Sequence, residues 1–156
     1  AIKWPNDLLV GSLKAAGVLS ELLPDQKGVV VGVGVNLNQS RDQLPVETAT
    51  SLGAEGAQGV QADDVLAGFL EALKPMYQGW VVAAGDAQAS GLHQEVVANC
   101  GSIGLQVRAI LPDGQDLVGM ATGIDSSGRI LIQPTGGMAR GELVALSAAD
   151  IVHLRH

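Results

Sequence analysis

The sequence predicts an α+β fold in which a partial mixed sheet with helices is followed by a small β-barrel. Three observations support this prediction. Residues 28–38 alternate as a strand, residues 63–80 repeat apolar side chains at helical spacing, and residues 103–154 form short strands separated by regular turn signals. We expect residues 1–100 to form one domain and residues 101–156 to form another.

The first hundred residues begin with short strands. Residues 1–4 are predicted to form a strand that the Pro-Asn-Asp turn at residues 5–7 ends, because these residue types favour turns. Two more strands are expected at residues 8–13 and 15–23. The chain opens inside a strand without an initiator Met, so we expect it to be a fragment of a longer protein.

The strand at residues 28–38 has two different faces, because successive side chains of a strand point to opposite sides. One face carries Val29, Val31, Val33, Val35 and Leu37, and the other carries Val30, Gly32, Gly34, Asn36 and Asn38. We expect the valine face to be core. The second face offers bare backbone and two amides, which suits a ligand lying against the strand. The alternative is close packing under another backbone, with the two amides as turn formers.

A polar, Gly-rich loop is expected over residues 39–60, followed by a helix that Asp63 or Asp64 caps. Pro75 is expected to kink or interrupt this helix. A second helix is predicted over residues 86–98. The first helix carries one apolar stripe, predicted to be core: Leu66, Phe69, Leu70, Leu73, Met76, Tyr77 and Trp80.

In the last third of the chain, short runs of alternating apolar and polar residues are separated by turn sequences, which is typical of a small β-barrel. Strands are predicted at residues 105–111, 116–124, 129–133, 142–146 and 151–154. Turns are expected at Pro-Asp-Gly, Ser-Ser-Gly and Gly-Gly sequences between them.

Composition excludes several function classes. The net charge of −7, without clustered Lys and Arg, argues against a nucleic-acid partner, because such proteins must neutralise phosphates. No apolar run is long enough for a membrane span. The single Cys100 suits a reducing cytoplasm and is expected to be a packing residue. The scattered His93, His153 and His156 are expected to have surface or packing roles.

Two cations and one carboxylate are close in sequence, at predicted strand ends and turns, where sites concentrate. Lys3 and Lys14 together could neutralise a carboxylate and a phosphate, and Asp7 could hold Mg²⁺ through its oxygens. The alternative is that all three are solvated surface charges.

The order of motifs resembles the biotin protein ligase family. Lys-Trp-Pro-Asn-Asp stands at residues 3–7, Lys-x-x-Gly-Val-Leu-x-Glu at 14–21, Gly-Val-Gly-Val-Asn-Leu-Asn at 32–38 and Thr-Ser-Leu at 50–52. Residues 107–155 are similar to that family's C-terminal domain. The resemblance implies a truncated class II synthetase-like catalytic domain followed by an SH3-like barrel.

The resemblance also implies an ATP-dependent biotin–(biotin carboxyl carrier protein) ligase in the cytoplasm. Such an enzyme forms biotinyl-5′-AMP and then transfers biotin to a lysine of a carrier domain, as in acetyl-CoA carboxylase. The implied ligands are biotin, ATP and Mg²⁺. A homodimer is a further expectation, because an exposed sheet edge favours association.

By position in the motifs, Lys14 resembles the lysine that contacts the biotin carboxylate and the adenylate phosphate. Lys3 corresponds to the first motif lysine, with an implied phosphate role. Asp7 corresponds to a candidate Mg²⁺ ligand, and Asn6 lies beside it.

The remaining implied site residues follow from the Gly-rich strand and the tail. Asn36 corresponds to an adenine-contacting amide, with Asn38 nearby, and Arg155 resembles an arginine that reaches toward the nucleotide phosphates. The glycines expected to let biotin or adenylate approach the backbone are Gly17, Gly32 and Gly34.

One departure from the family is that the Gly-Arg-Gly-Arg-type loop, which covers biotinyl-adenylate, is absent from this sequence. We therefore expect the fragment to be inactive alone. The alternatives are a lipoate-protein-ligase-like acyltransferase and a non-catalytic binding or assembly fragment. A Rossmann dinucleotide domain is a weaker alternative, because the third glycine and the following helix are absent.

Overall fold

The computed structural model describes residues 1–136 and 141–154. The chain divides into two compact units. The first comprises Ala1 and Asn6–Leu73, and the second comprises Ile2–Pro5 together with the described residues from Lys74 onwards. The predicted domain boundary at residue 100 stays a prediction. No helix within the described ranges is long and apolar enough to cross a membrane.

The first unit is built on an antiparallel meander. Strand β1 (Ile2–Lys3) belongs to the second unit, and the meander consists of β2 (Asp7–Val10), β3 (Leu13–Leu22) and β4 (Val29–Val35). Both ladders, β2 with β3 and β3 with β4, are antiparallel. The prediction of a mixed sheet is therefore wrong for these strands, since the parallel pairings described are isolated bridges such as Lys14 with Ala49.

The valine face of β4 is not the buried core surface that its alternation predicts. Val29, Val31 and Val33 are 56%, 53% and 38% exposed. Alternation shows which side chains share a face, but it does not show whether the same segment supplies a cover for that face.

Helix α1 (Ala62–Val82) corrects three expectations. It continues through Pro75, so the predicted interruption does not occur, whereas a kink there stays a prediction. None of its residues is buried, so the predicted core stripe is exposed. A proline removes one backbone hydrogen bond, and the turns on either side suffice here to carry the helix through. Asp63 and Asp64 lie inside the first turn instead of capping it. Carboxylates in the first turn interact favourably with the helix dipole.

Helix α2 (Leu92–Asn99) was predicted to begin at residue 86 and begins six residues later. The Asp86 carboxylate accepts hydrogen bonds from the backbone N–H groups of Gln88 and Ala89 at 2.8 and 3.0 Å, which form a turn instead. These two bonds lower the pKa of Asp86. Gly91, with φ of 83°, then redirects the chain into the helix.

The second unit contains a five-stranded sheet close to the one predicted. Its strands are β5 (Gln106–Ile110), β6 (Asp116–Ile124), β7 (Ile130–Pro134), β8 (Val144–Leu146) and β9 (Asp150–His153). Their spatial order is β8-β7-β6-β5-β9, and every ladder between them is antiparallel. Part of the predicted Gly-Gly turn lies outside the described residues.

The core of the second unit comes from inward-facing strand residues that are wholly buried: Val107, Ala109, Ala121, Ile130, Ile132 and Ile151. Trp4 joins this core at 5% exposure, and so does Cys100 at 6%. The expectation that Cys100 is a packing residue is confirmed, since it is a free, buried thiol.

Candidate functional site

An open groove of about 430 Å³ lies on the glycine face of the meander in the first unit. It brings together five of the residues predicted for the site and adds three that the sequence did not single out. Its lining is Asn6, Lys14, Gly17, Val18, Leu19, Gly32, Val33 and Gly34.

The floor of this groove is a strip of backbone without side chains. Gly17 on β3 lies opposite Gly34 on β4, and Gly32 lies opposite Leu19. A Cβ added at Gly32 or Gly34 would meet nothing closer than a backbone oxygen at 3.8 or 4.0 Å. The space above these two glycines is therefore open, and a flat ligand group can lie against the strands there.

The ammonium group of Lys14 lies at one side of the strip. Its Nζ is 2.5 Å from Oδ1 of Asp7, whose side chain is 17% exposed while that of Lys14 is 48% exposed. A Cβ at Gly17 would lie 3.3 Å from Cε and Nζ of Lys14. Gly17 thus makes room for the lysine tip, and Asp7 fixes it. The arrangement presents a cation beside bare backbone, which suits an anionic ligand.

Asn6 is tied to the neighbouring strand by two hydrogen bonds. Its side-chain Nδ2 donates to the carbonyl of Val18 at 2.6 Å, and the Val18 N–H donates to the Asn6 carbonyl at 2.9 Å. These bonds hold the turn between β1 and β2 against β3, on the side of the groove where Asp7 follows.

The structure does not bring Asn36 and Asn38 into the groove. Asn36 Nδ2 donates to the carbonyl of Thr50 at 2.8 Å, and Asn38 Nδ2 donates to that of Val60 at 2.7 Å. Thr50 and Ser51 are wholly buried. In this structure the two amides anchor the following loop to the end of β4, and the buried residues of that loop are Ala49, Thr50 and Ser51.

Lys3 lies in the second unit, where its Nζ is 3.9 Å from Oδ1 of Asp150. Arg155 lies outside the described residues. His93 and His153 each contact a hydrogen-bonding partner, and their predicted surface or packing roles stay predictions. His93 Nε2 lies 2.9 Å from the carbonyl oxygen of Ile124, and His153 Nε2 lies 2.9 Å from Ser102 Oγ. His156 also falls outside the described ranges.

Sequence reasoning missed a larger apolar cavity on the opposite face of the meander. Its volume is about 490 Å³, and its lining includes Leu8, Val35, Leu52 and Phe69 from the strands, the loop and the start of α1. The signal for it was present, because the valine face of β4 and the apolar stripe of α1 are both apolar surfaces that need a partner.

Comparison with known proteins places these features in a family. Residues 102–154 match the family described as biotin protein ligase C terminal domain. Over 99% of its length the chain is 36% identical to the biotin–(acetyl-CoA-carboxylase) ligase of Mycobacterium tuberculosis, of which it covers 53%. It is 30% identical to the Paracoccus denitrificans ligase of the same description, of which it covers 58%.

A third relative is the bifunctional ligase/repressor BirA of Bacillus spizizenii, 29% identical over 89% of this chain and 43% of that protein. The chain therefore spans about half the length of the curated relatives it matches.

Solved structures share the fold. The apo biotin protein ligase of Aquifex aeolicus matches with a TM-score of 0.78 at 21% identity, over 98% of this chain and 65% of that one. The same enzyme in complex with biotin and ATP matches with a TM-score of 0.75 at 22% identity, over 99% of this chain and 62% of that one. Residues 102–154 therefore match the C-terminal domain of biotin protein ligases, and the chain as a whole is similar to about half of the curated ligases.

Proposed function

We propose that this chain is part of an ATP-dependent biotin protein ligase. In the first step, a biotin carboxylate oxygen attacks the α-phosphorus of ATP, which gives biotinyl-5′-AMP and pyrophosphate. In the second, a lysine amine of a biotin carboxyl carrier protein attacks the acyl carbon, AMP leaves, and the amine loses its proton. The groove supports this proposal, because the Lys14 ammonium lies beside a backbone strip that is open to a flat ligand.

Lys14 would act by charge. The first step brings two anions together, and a fixed ammonium beside the reacting oxygens lowers the repulsion between them. The ion pair with Asp7 holds the lysine in one place before the substrates arrive. Gly17, Gly32 and Gly34 would let the adenylate approach the backbone closely enough to be oriented there.

The side chains near the groove suit a magnesium ion only if the phosphates of the nucleotide supply further oxygen ligands. No cluster of three or more acidic, His or Cys side chains occurs among the described residues. Mg²⁺ in nucleotide sites uses one or two carboxylates plus substrate phosphates, and Asp7 is the carboxylate we propose here. When bound, the ion would neutralise phosphate charge.

The remaining assignments are also proposals. Lys3 and Arg155 would contact the nucleotide phosphates, and Asn36 would contact adenine through its amide, with Asn38 nearby. Asn6 would orient the turn that carries Asp7. The hydrogen bonds of Asn36 and Asn38 to the following loop support a role in shaping the site.

We further propose a class II synthetase-like catalytic part in residues 1–100 and an SH3-like barrel in residues 101–156. The antiparallel five-stranded sheet and the match at residues 102–154 support the second of these. The biotin carboxyl carrier protein of acetyl-CoA carboxylase would be the partner, in the cytoplasm, and the ligase would form a homodimer through exposed sheet edges.

The test is the substitution Lys14→Ala in the full-length ligase that contains this chain. Loss of the ammonium should reduce biotin-dependent pyrophosphate release roughly 100-fold or more, the scale of removing one preorganised electrostatic group. Lys27→Ala, in the exposed turn after β3, is the matched control and should keep parental turnover.

Thermal melts of both variants establish that they are folded. Parental turnover in Lys14→Ala would refute the role of the lysine. Pyrophosphate release that responds to lipoate and not to biotin would refute the assignment of the substrate.

A further inference from the structure

The second unit contains a buried polar contact that the proposed reaction does not use. Ser102 is wholly buried, and its Oγ lies between two groups from distant parts of the chain. The backbone N–H of Trp4 donates to Oγ at 3.2 Å, and Nε2 of His153 lies 2.9 Å from the same oxygen.

The direction of hydrogen bonding between Ser102 and His153 depends on the tautomer of the imidazole ring. A hydroxyl has one hydrogen to donate, and its oxygen accepts. When His153 is neutral and its Nε2 carries no hydrogen, the hydroxyl hydrogen of Ser102 donates to Nε2 while Oγ accepts from the Trp4 N–H. If His153 were protonated, Nε2 would itself carry a hydrogen, and the buried hydroxyl hydrogen would lose its acceptor, which is costly.

The surroundings of His153 also favour the neutral ring. Partial burial, and next the positive charge of Lys3, lower the pKa of His153. Lys3 on β1 pairs with Asp150 on the same strand as the histidine. Among the described residues, β5 presents Val107 opposite His153 and the preceding loop presents Ser102, and both side chains are uncharged.

Trp4 is held at its side chain as well as at its backbone. The indole Nε1 donates to the carbonyl of Gly128 at 2.9 Å, and the ring packs in the core with residues such as Ile130. The backbone bond to Ser102 therefore sets the position of the peptide that joins Lys3 to Trp4, at the start of the Lys-Trp-Pro-Asn-Asp motif.

We propose that His153, acting through Ser102, is a positioning residue that holds the Trp4 backbone, and with it Lys3, in the geometry that the ligase reaction uses. Protonation of His153 releases this hold. The effect of His153 on catalysis rests on the proposed function, whereas its hold on the Trp4 backbone does not.

The hold on Trp4 is tested in the 156-residue chain by fluorescence. In a Trp80→Phe background Trp4 is the sole tryptophan, because the chain has two. As the pH falls below about 6.5, the ordinary pKa of histidine, the Trp4 emission should shift to longer wavelength. His153→Gln keeps an acceptor that does not titrate, so its emission should stay at the parental position throughout. His153→Phe, which has no acceptor, should show the shift at every pH.

The catalytic part is tested in the full-length ligase with the same substitutions. For His153→Phe, kcat/KM for ATP should fall roughly tenfold to 100-fold, the scale of a displacement of about 1 Å at a reacting group. His153→Gln should restore the parental value, and it should remove the decline in kcat/KM at acid pH that we expect of the parent. A structural role without positioning would leave that pH profile unchanged.

Three results would overturn the inference: Trp4 emission that does not change with pH, a His153→Gln variant that titrates like the parent, or parental kcat/KM in His153→Phe. If His153→Phe does not fold, the pH profile of His153→Gln decides. A full-length ligase without biotin-dependent turnover would refute the proposed function, while the fluorescence of the chain would still decide whether His153 holds Trp4.

Discussion

At the scale of single residues, the candidate site consists of one cation beside a strip of backbone that has no side chains. Lys14 is placed by Asp7 and by the space that Gly17 leaves for its tip. The resemblance of the motifs to the biotin protein ligase family predicted this group of residues. Ser102 carried no such signal, since a serine before a predicted strand is ordinary, and only the three-dimensional structure shows its contacts with Trp4 and His153.

The glycine strip gives a prediction at this scale. Gly34→Val places a branched side chain in the open space of the groove, so it should weaken ATP binding by the full-length ligase, measured by calorimetric titration. Ser20→Val is the control, because it adds the same side chain to an exposed position of β3 outside the groove. Equal loss of affinity in the two variants would show that the strip is not where the nucleotide lies.

At the scale of elements, the strands of the second unit were predictable and the burial of the first unit was not. Short alternating strands with Gly-containing turns specify their own antiparallel neighbours, so β5, β6, β7 and β9 lie close to their predicted ranges. The stripe on α1 and the valine face of β4 specify a preference for burial. Whether they are buried depends on a partner surface, and periodicity contains no information about that partner.

Two glycines of strand β6 give a prediction at the scale of elements. A Cβ at Gly119 would clash with the Gln133 carbonyl and approach Cγ2 of the wholly buried Ile132 to 2.7 Å. Gly119→Ala should therefore lower the free energy of unfolding by about 1–3 kcal/mol, as overpacking does.

Gly123→Ala on the same strand is the matched control, since its Cβ would lie 3.8 Å from Leu131 Cδ1, an ordinary contact. Urea unfolding of the chain measures both variants. A loss of stability in Gly123→Ala equal to that in Gly119→Ala would contradict the assignment of the clash.

At the scale of the whole molecule, the candidate site lies on an open surface of the first unit. The groove is open, and the apolar face behind it is exposed in large part. The relatives that it matches are about twice as long. The resemblance implied this incompleteness from the Gly-Arg-Gly-Arg-type loop that the sequence lacks, and the exposure of β4 and α1 is consistent with it.

The 156-residue chain alone should therefore not biotinylate a carrier domain. A reactive acyl-adenylate needs a cover that excludes water, and an open groove cannot provide one. The chain is incubated with ATP, Mg²⁺, biotin and an apo-carrier domain and probed with labelled streptavidin, beside a preparation from cells that do not express it. Stoichiometric labelling in the presence of the chain alone would mean that the site is completed differently.

The burial of Trp4 has a consequence for biosynthesis. Its indole bonds to Gly128, 124 residues later in the chain, and its backbone depends on Ser102 and through it on β9. At about 5–20 residues per second, a ribosome needs several seconds to synthesise the residues between these partners. The Lys-Trp-Pro-Asn-Asp motif is therefore synthesised several seconds before strand β9. A translation product that stops before β9 would contain every residue of the groove, together with Ser102 and Gly128, and would lack His153, which contacts Ser102.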